Sequence, residues 1–263
     1  MQPVLDDLIN SARQAGAIIR AGYEQDHQVM MKGEIDLVTE MDRRVEDFLL
    51  SAISARFPGH TIITEESGLH PGASDHCWYI DPIDGTVNYA HHLPWFVVSL
   101  AYAEAGQMKY GTIYEPLRDE CFSAARGQGA WLNDRPIRVS STSALIAALF
   151  STGFPYDVAT AQNNNVAQFV NLTKLSQGVR RSGSAALDMA YVGCGRLDGF
   201  WELQLQPWDI AAGALIVKEA GGVVTNVHGS RDLMQPPFSI AVSNPRLHPL
   251  FLAALNGSPD HQD

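Results

Sequence analysis

Acidic residues stand where several hydrophobic segments of this chain begin or end. Glu65 follows the apolar pair Ile62 and Ile63, and Asp81 and Asp84 follow Trp78, Tyr79 and Ile80 in WYIDPIDGTVNYAH (78–91). Asp209 opens the apolar run of PWDIAAG. Two carboxylates as near as Asp81 and Asp84 repel by roughly 4 kcal/mol at an effective dielectric near 20, so something should compensate them. Taken singly, each acid has a plainer reading: a helix cap at Asp209, a solvated loop at Glu65 and Glu66, an ordinary turn at Asp81 and Pro82. Three separate elements sharing the habit favour a site for hard cations. Oxygen ligands of this kind suit magnesium, which needs few carboxylates and keeps waters free for a substrate phosphate. The turn GTVN after Asp84 can start a short helix whose free N–H groups would receive an anion. Acids, a hard cation and an anion hole together describe phosphoryl transfer or hydrolysis.

These acids need elements that hold them in place. Val4, Leu5, Leu8, Ile9, Ala12, Ala15 and Ile19 recur at helical spacing and predict an amphipathic helix over 3–22. The polar stretch from Asp26 reads as a loop or hairpin. Thr39 caps a second helix, with Val45, Phe48, Leu49 and Ile53 on one face, which ends near Phe57, Pro58 and Gly59. HTIIT from His60 is a short strand delivering Glu65 and Glu66, and GLHPGAS from Gly68 is a loop. CWYI from Cys77, VVSLAYA from Val97, GTIY from Gly111, ECFSAA from Glu120 and then GQGAWLNDRP alternate with turn signals as an antiparallel meander does. After Ser140 the pattern becomes a strand over ALFST and helices over 166–175, 185–192 and 207–220, which suggests an α/β second lobe. We divide the chain into an N-terminal α+β lobe (1–142) with most of the acids and a C-terminal α/β lobe (143–263) that contributes Asp209. Residues from Gly257 onward read as a frayed tail.

Composition narrows the function classes. The 263 residues are 46% hydrophobic and 18% charged, with 29 acidic against 18 basic side chains for a net charge of -11. Such a chain has no electrostatic reason to hold phosphate backbones, so direct nucleic-acid binding is not expected. Cys77, Cys121 and Cys194 form no CxxC pair and read as reduced thiols rather than a zinc cluster. No basic, apolar leader opens the chain and no segment approaches membrane-spanning length, so a cytoplasmic location is expected. No G-x-S-x-G elbow supports Ser-His-Asp chemistry. His91 and His92 lack metal-ligand spacing and read as loop residues. Trp78, Trp95 and Trp131 read as packing residues.

DPIDGTVNY from Asp81 resembles the first signature of the inositol monophosphatase family, and WDIAAG from Trp208, continuing into EAGG from Glu219, resembles its second. IDLVTEMD from Ile35, ITEES from Ile63 and RSGSAALD from Arg181 follow in the family's order, so the resemblance spans nearly the whole chain. It implies a layered α/β/α/β/α sandwich of the inositol monophosphatase and fructose-1,6-bisphosphatase type. It also implies a homodimer hydrolysing phosphate monoesters with Mg2+ and inhibited by lithium. Carried over by motif, Glu65 and Asp81 with the Ile83 carbonyl would hold a first Mg2+. Asp81, Asp84 and Asp209 would hold a second, and Glu65 would help a weaker third. Gly85 and Thr86 would cradle the phosphate through their N–H groups. The Thr86 hydroxyl, paired with Asp42, would orient and deprotonate the attacking water, with Glu65 counted in the same catalytic group. Glu202 matches the acid that accepts hydrogen bonds from inositol hydroxyls, beside Asp209. Gly183, Ser184 and Ala185 match a loop lining that pocket, although helix capping and packing explain Ser184 and Ala185 equally well. Lys32 falls in a loop that in relatives approaches the metal site, and Arg180 and Arg181 read as interface or surface cations.

The implied activity is that of an inositol-1-monophosphatase. Its rivals are the same chemistry on histidinol phosphate, fructose 1,6-bisphosphate, a nucleotide phosphate or NADP. A different class is a protein-binding accessory factor of the transcription machinery, a role that some bacterial relatives have. Uncatalysed monoester hydrolysis is slow enough that enhancements reach about 10²¹, which a mechanism without metal would struggle to supply.

Overall fold

The structure, a computed structural model, describes residues 2–25, 29–31 and 37–257. Lys32 and the tail 258–263 lie outside them. In chain order the elements are α1 (Leu5–Gly22), β1 (Val29–Met31), β2 (Leu37–Thr39), α2 (Glu40–Arg56), β3 (Thr61–Thr64), β4 (Gly68–His70), β5 (His76–Asp84) and α3 (Thr86–Ala90). Next come β6 (Val97–Glu104), β7 (Gln107–Glu115), β8 (Glu120–Ala125), β9 (Gly129–Leu132), β10 (Arg135–Pro136), β11 (Leu149–Thr152) and α4 (Val166–Leu175). The chain closes with β12 (Gly178–Arg180), α5 (Ala185–Gly193), β13 (Gly199–Glu202), α6 (Pro207–Glu219), β14 (Val223–Thr225), β15 (Ile240–Ser243) and α7 (His248–Leu255).

Helix starts follow local chemistry. Val4 N–H donates to Asp7 Oδ2 at the head of α1 (2.9 Å), and Thr39 Oγ1 accepts from Met41 N (3.1 Å) at the head of α2. The α1 stripe of Leu8, Ala12, Ala15 and Ile19 is fully buried. Together with Val45, Leu49 and Ile53 of α2 it covers one face of an eight-stranded sheet ordered β10-β9-β8-β7-β6-β5-β3-β4. The opposite face of this sheet carries α5 and α6, through Ala186, Leu187, Leu215 and Ile216. The other sides of α5 and α6 pack Met189, Val192, Ile210 and Val217 onto Phe200 and Val242 of a five-stranded sheet ordered β12-β11-β13-β15-β14. Beyond that sheet α4 and α7 bury Leu172 and Phe251 against Phe150 and Trp201. The result is five layers, α/β/α/β/α.

Helix α6 is apolar nearly all round because it lies between two sheets, which is where such a helix belongs. It also approaches the first sheet closely. A Cβ on Gly111 of β7 would sit 3.0 Å from Ala212 O, so the side-chain-free residue sets the separation. Burial of Leu215 and Ile216 there contributes about 1.5–3 kcal/mol per side chain.

Four features depart from the sequence expectations or add to them. Gly68–His70, expected within a loop, forms the edge strand β4, antiparallel to β3 with Ile62 opposite His70. Three residues including a glycine give too little alternation to announce a strand. The first sheet is not purely antiparallel, because β3 and β5 run parallel. β5 continues through both aspartates, its register shifting between Asp81 and Asp84, so these acids belong to a strand end rather than a turn. Helix α7 had no predicted counterpart. For the stretch from Asp26, expected as a loop or hairpin, β1 and β2 form an antiparallel pair. Among the described residues no helix is long and apolar enough to cross a membrane.

Candidate active site

Strand alternation aims the acids inward. Ile80 packs with α1 and α2, so Asp81, one residue on, emerges on the face toward the central helices. On the second sheet Trp201 faces α4 and α7, which leaves Glu202 on the inner face with Phe200. Between these strand ends and the N-termini of α5 and α6 lies a cavity of about 440 Å3. Glu65, Asp81, Ile83, Asp84, Gly85 and Thr86 line it from the first sheet's side; Gly183, Ser184, Ala185, Glu202 and Asp209 line it from the second.

Asp42 stands behind this wall. Its Oδ2 accepts from Thr39 N (2.8 Å) and Thr39 Oγ1 (2.6 Å), closing the cap of α2, while its Oδ1 lies 2.9 Å from Thr86 Oγ1. Thr86 Oγ1 is also 3.0 Å from Ile83 O, so its single proton has two acceptors. Gly85 precedes Thr86 at φ 104°, and a Cβ there would sit 2.8 Å from Trp95 O. Both the left-handed backbone and the close approach require glycine.

The acids repel and are held by donors. Asp81 is buried, and among the described residues its Oδ1 has no hydrogen-bond partner. Burial first, and then the fields of Glu65, Asp84, Asp209 and Asp42, hold its carboxyl well above the ordinary range. Asp84 is raised by burial and restrained by its bonds: its Oδ2 accepts from Ser184 Oγ (2.7 Å) and Ala186 N (2.6 Å). Asp209 is raised by burial, then by Asp84 and Glu65, while its Oδ2 caps α6 by accepting from Gln206 N (2.7 Å). Glu202 is raised by burial, then by Asp209, Asp84 and Asp188, with Arg181 pulling the other way. Among the described residues no three His, Cys, Asp or Glu side chains form a ready-made metal-binding group. The acids share one cavity and feel one another's charge without converging on one point. Hard oxygen donors and an orphaned carboxylate oxygen nonetheless fit a divalent cation such as magnesium.

Ser184 acts as the cap of α5, accepting from Leu187 N at 3.3 Å while donating to Asp84. His91 and His92 are exposed, and Trp78 is a core residue. Arg180 and Arg181 are both exposed, but Arg181 also lines the cavity.

Several residues of the site have no role assigned from the sequence, although Asp188 and Asn88 lie inside the RSGSAALD and DPIDGTVNY motifs. Asp188 lines the cavity from α5 at 1% exposure, accepting from Ser151 Oγ (2.6 Å) and Ser182 Oγ (2.5 Å to either oxygen). Burial pushes its carboxyl up to about 7. A lone aspartate inside the apolar run AALDMAYV was the available signal. Buried Asn88 donates to Trp95 O (2.7 Å) and Ser182 O (2.8 Å), tying α3 to the loop before α5. Gly153 abuts Glu202, whose two carboxylate oxygens would lie 2.3 Å from a Cβ at that position.

Comparisons with known proteins agree with the fold. The model of the inositol monophosphatase family matches residues 1–260. The chain is 43% identical over 261 residues to an inositol-1-monophosphatase of Synechocystis, covering 98% of this chain and 91% of that protein. It is 42% identical over 250 residues to Nus factor SuhB of Pasteurella multocida, covering 94% and 93%. The crystal structure of extragenic suppressor protein suhB from Bartonella henselae superposes with a TM-score of 0.90 at 37% identity, covering 96% of this chain and 98% of that one.

Proposed function

The chain belongs to the inositol monophosphatase family, a family of phosphatases, and from that premise we propose that it is a magnesium-dependent hydrolase of polyol phosphate monoesters, inositol 1-phosphate foremost. The observation that carries this reading is the meeting of Glu65, Asp81, Asp84 and Asp209, from three elements, in one cavity with Gly85 and Thr86. Glu65, Asp81 and the Ile83 carbonyl would hold one Mg2+, and Asp81, Asp84 and Asp209 another. A third, weaker ion would lie at Glu65. When bound, the ions supply charge neutralisation for the acids and the phosphate and make a water acidic enough to attack at neutral pH.

The remaining work falls to the chain's own groups. The Gly85 and Thr86 N–H groups donate to phosphate oxygens. The Thr86 hydroxyl holds the attacking water in line and passes a proton toward Asp42, to which it is already hydrogen-bonded. Glu202 accepts from substrate hydroxyls, its carboxyl occupying the space that Gly153 leaves by having no side chain, and Asp209 flanks it. Gly183 and Ala185 shape the wall, while Ser184 orients Asp84. The reading extends to lithium inhibition, a homodimer and a cytoplasmic location.

A panel of inositol 1-phosphate, histidinol phosphate, fructose 1,6-bisphosphate, a nucleotide phosphate and NADP, read by released phosphate, tests the substrate. Inositol phosphate ranking far below another ester overturns the polyol preference. Asp84→Asn is expected to abolish magnesium-dependent turnover with the fold intact, and activity retained at saturating magnesium overturns the ligand assignment. The relatives named Nus factor SuhB support a second reading, a protein-binding accessory role in transcription. Capture of partners by wild type and Asp84→Asn alike supports it, since such binding needs no turnover.

A further inference from the structure

Glu46 follows Asp42 by four residues on α2, so both carboxylates leave the same face of the helix. Glu46 is 3% exposed, and among the described residues no basic side chain pairs with it. Its Oε2 instead accepts two hydrogen bonds, one from Thr64 Oγ1 and one from Glu66 N at 2.9 Å. These donors are the residues immediately before and after Glu65. On the other side Glu65 N donates to Ile80 O of β5 at 3.3 Å, and Thr64 is fully buried. The backbone that carries Glu65 is therefore clamped between β5 and one carboxylate of α2.

A buried carboxylate without a cationic partner is costly to keep, and two donors converging on one oxygen recover part of that cost. What the arrangement fixes is the direction in which Glu65 enters the cavity. We propose that Glu46 is the positioning residue for Glu65, setting its affinity for the cation. Through Asp42 and Glu46, α2 then spaces the Thr86 hydroxyl and the Glu65 carboxylate against one rigid element. The inference rests on the metal-dependent reading given above.

The test is magnesium titrated alone into the full chain and followed by calorimetry, with thermal melts recorded in parallel. Both hydrogen bonds reach the same oxygen, so Glu46→Gln can keep them through its amide oxygen, while Glu46→Met keeps the volume and loses both. Glu46→Met is expected to weaken magnesium binding about 10- to 100-fold, the usual effect of losing a group that orients a metal ligand. Glu46→Gln should stay close to wild type, and Thr64→Val should weaken binding in the same direction as Glu46→Met. Combining Thr64→Val with Glu46→Met should add little, because Glu46→Met already removes the bond that Thr64→Val deletes. Glu46→Met binding as tightly as wild type overturns the inference while leaving the metal reading in place. If Glu46→Met fails to fold, Thr64→Val decides, and unchanged affinity there overturns the inference. Absence of magnesium binding by wild type overturns the metal reading, and the inference falls with it.

Discussion

Replacing Asp188 by asparagine should change how stability depends on pH, by an amount that follows from where the residue sits. Its carboxyl is buried among the hydroxyls of Ser151 and Ser182, and burial moves it from the ordinary 3.8 up to about 7. That is about 3 pH units at 1.36 kcal/mol each, a ceiling of about 4 kcal/mol. The folded state has the higher pKa and binds more protons between these values. Stability from this residue is therefore complete at acidic pH, falls as pH rises from about 4 to about 7, and is level above that. Asparagine keeps the volume, does not titrate, and can accept from one serine while donating to the other. Urea unfolding with EDTA present, from acidic to mildly alkaline pH, is the assay. Wild type should lose stability with rising pH more steeply than Asp188→Asn, and above neutrality the variant should be the more stable protein. At about 2–4 °C per kcal/mol for chains of this size, the difference is also visible in thermal melts. Asp81, Asp84, Asp209 and Glu202 titrate in both proteins and largely cancel in the comparison. Parallel curves for wild type and variant would refute the reasoning.

The active-site reading makes two further predictions. Thr86→Ala should lower kcat by about 10²- to 10⁴-fold, the range for a lost proton-transfer group, and shift the magnesium dependence much less; equal losses in both would mean that the hydroxyl has been misassigned. Gly153→Ala places a methyl 2.3 Å from both oxygens of Glu202 and must displace that carboxylate. It should lower kcat/KM for inositol 1-phosphate by up to about 10-fold, as expected for loss of a hydrogen bond from a substrate hydroxyl. An ester lacking hydroxyls should be spared, and an unchanged ratio between the two substrates counts against the role of Glu202.

The sequence by itself determined what its local periodicities and motifs could carry. The apolar stripes of α1 and α2 predicted their helices because burial of one face writes a helical period into neighbouring residues, whereas α6, buried nearly all round, showed itself as an apolar run behind an acid that can cap it. Asp81, Asp84, Glu65 and Asp209 were legible as one set because each marks the end or start of an apolar segment. The spacing of DPIDGT also placed a glycine where the backbone needs one, at Gly85. Tertiary structure alone decided the rest. Strand β4 exists only because β3 offers it an edge, and β5 runs on through its aspartates only because β6 continues to pair with it. Asp188, Asn88, Gly153 and Glu46 act through partners far along the chain: Ser151, Ser182, Glu202 and Thr64. A single residue's type gives no sign of a contact made 18 to 94 positions away. Burial, the Asp81 Oδ1 that has no partner among the described residues, and mutual charge belong to the packed arrangement, and they distinguish the proposed cation site from four ordinary acids.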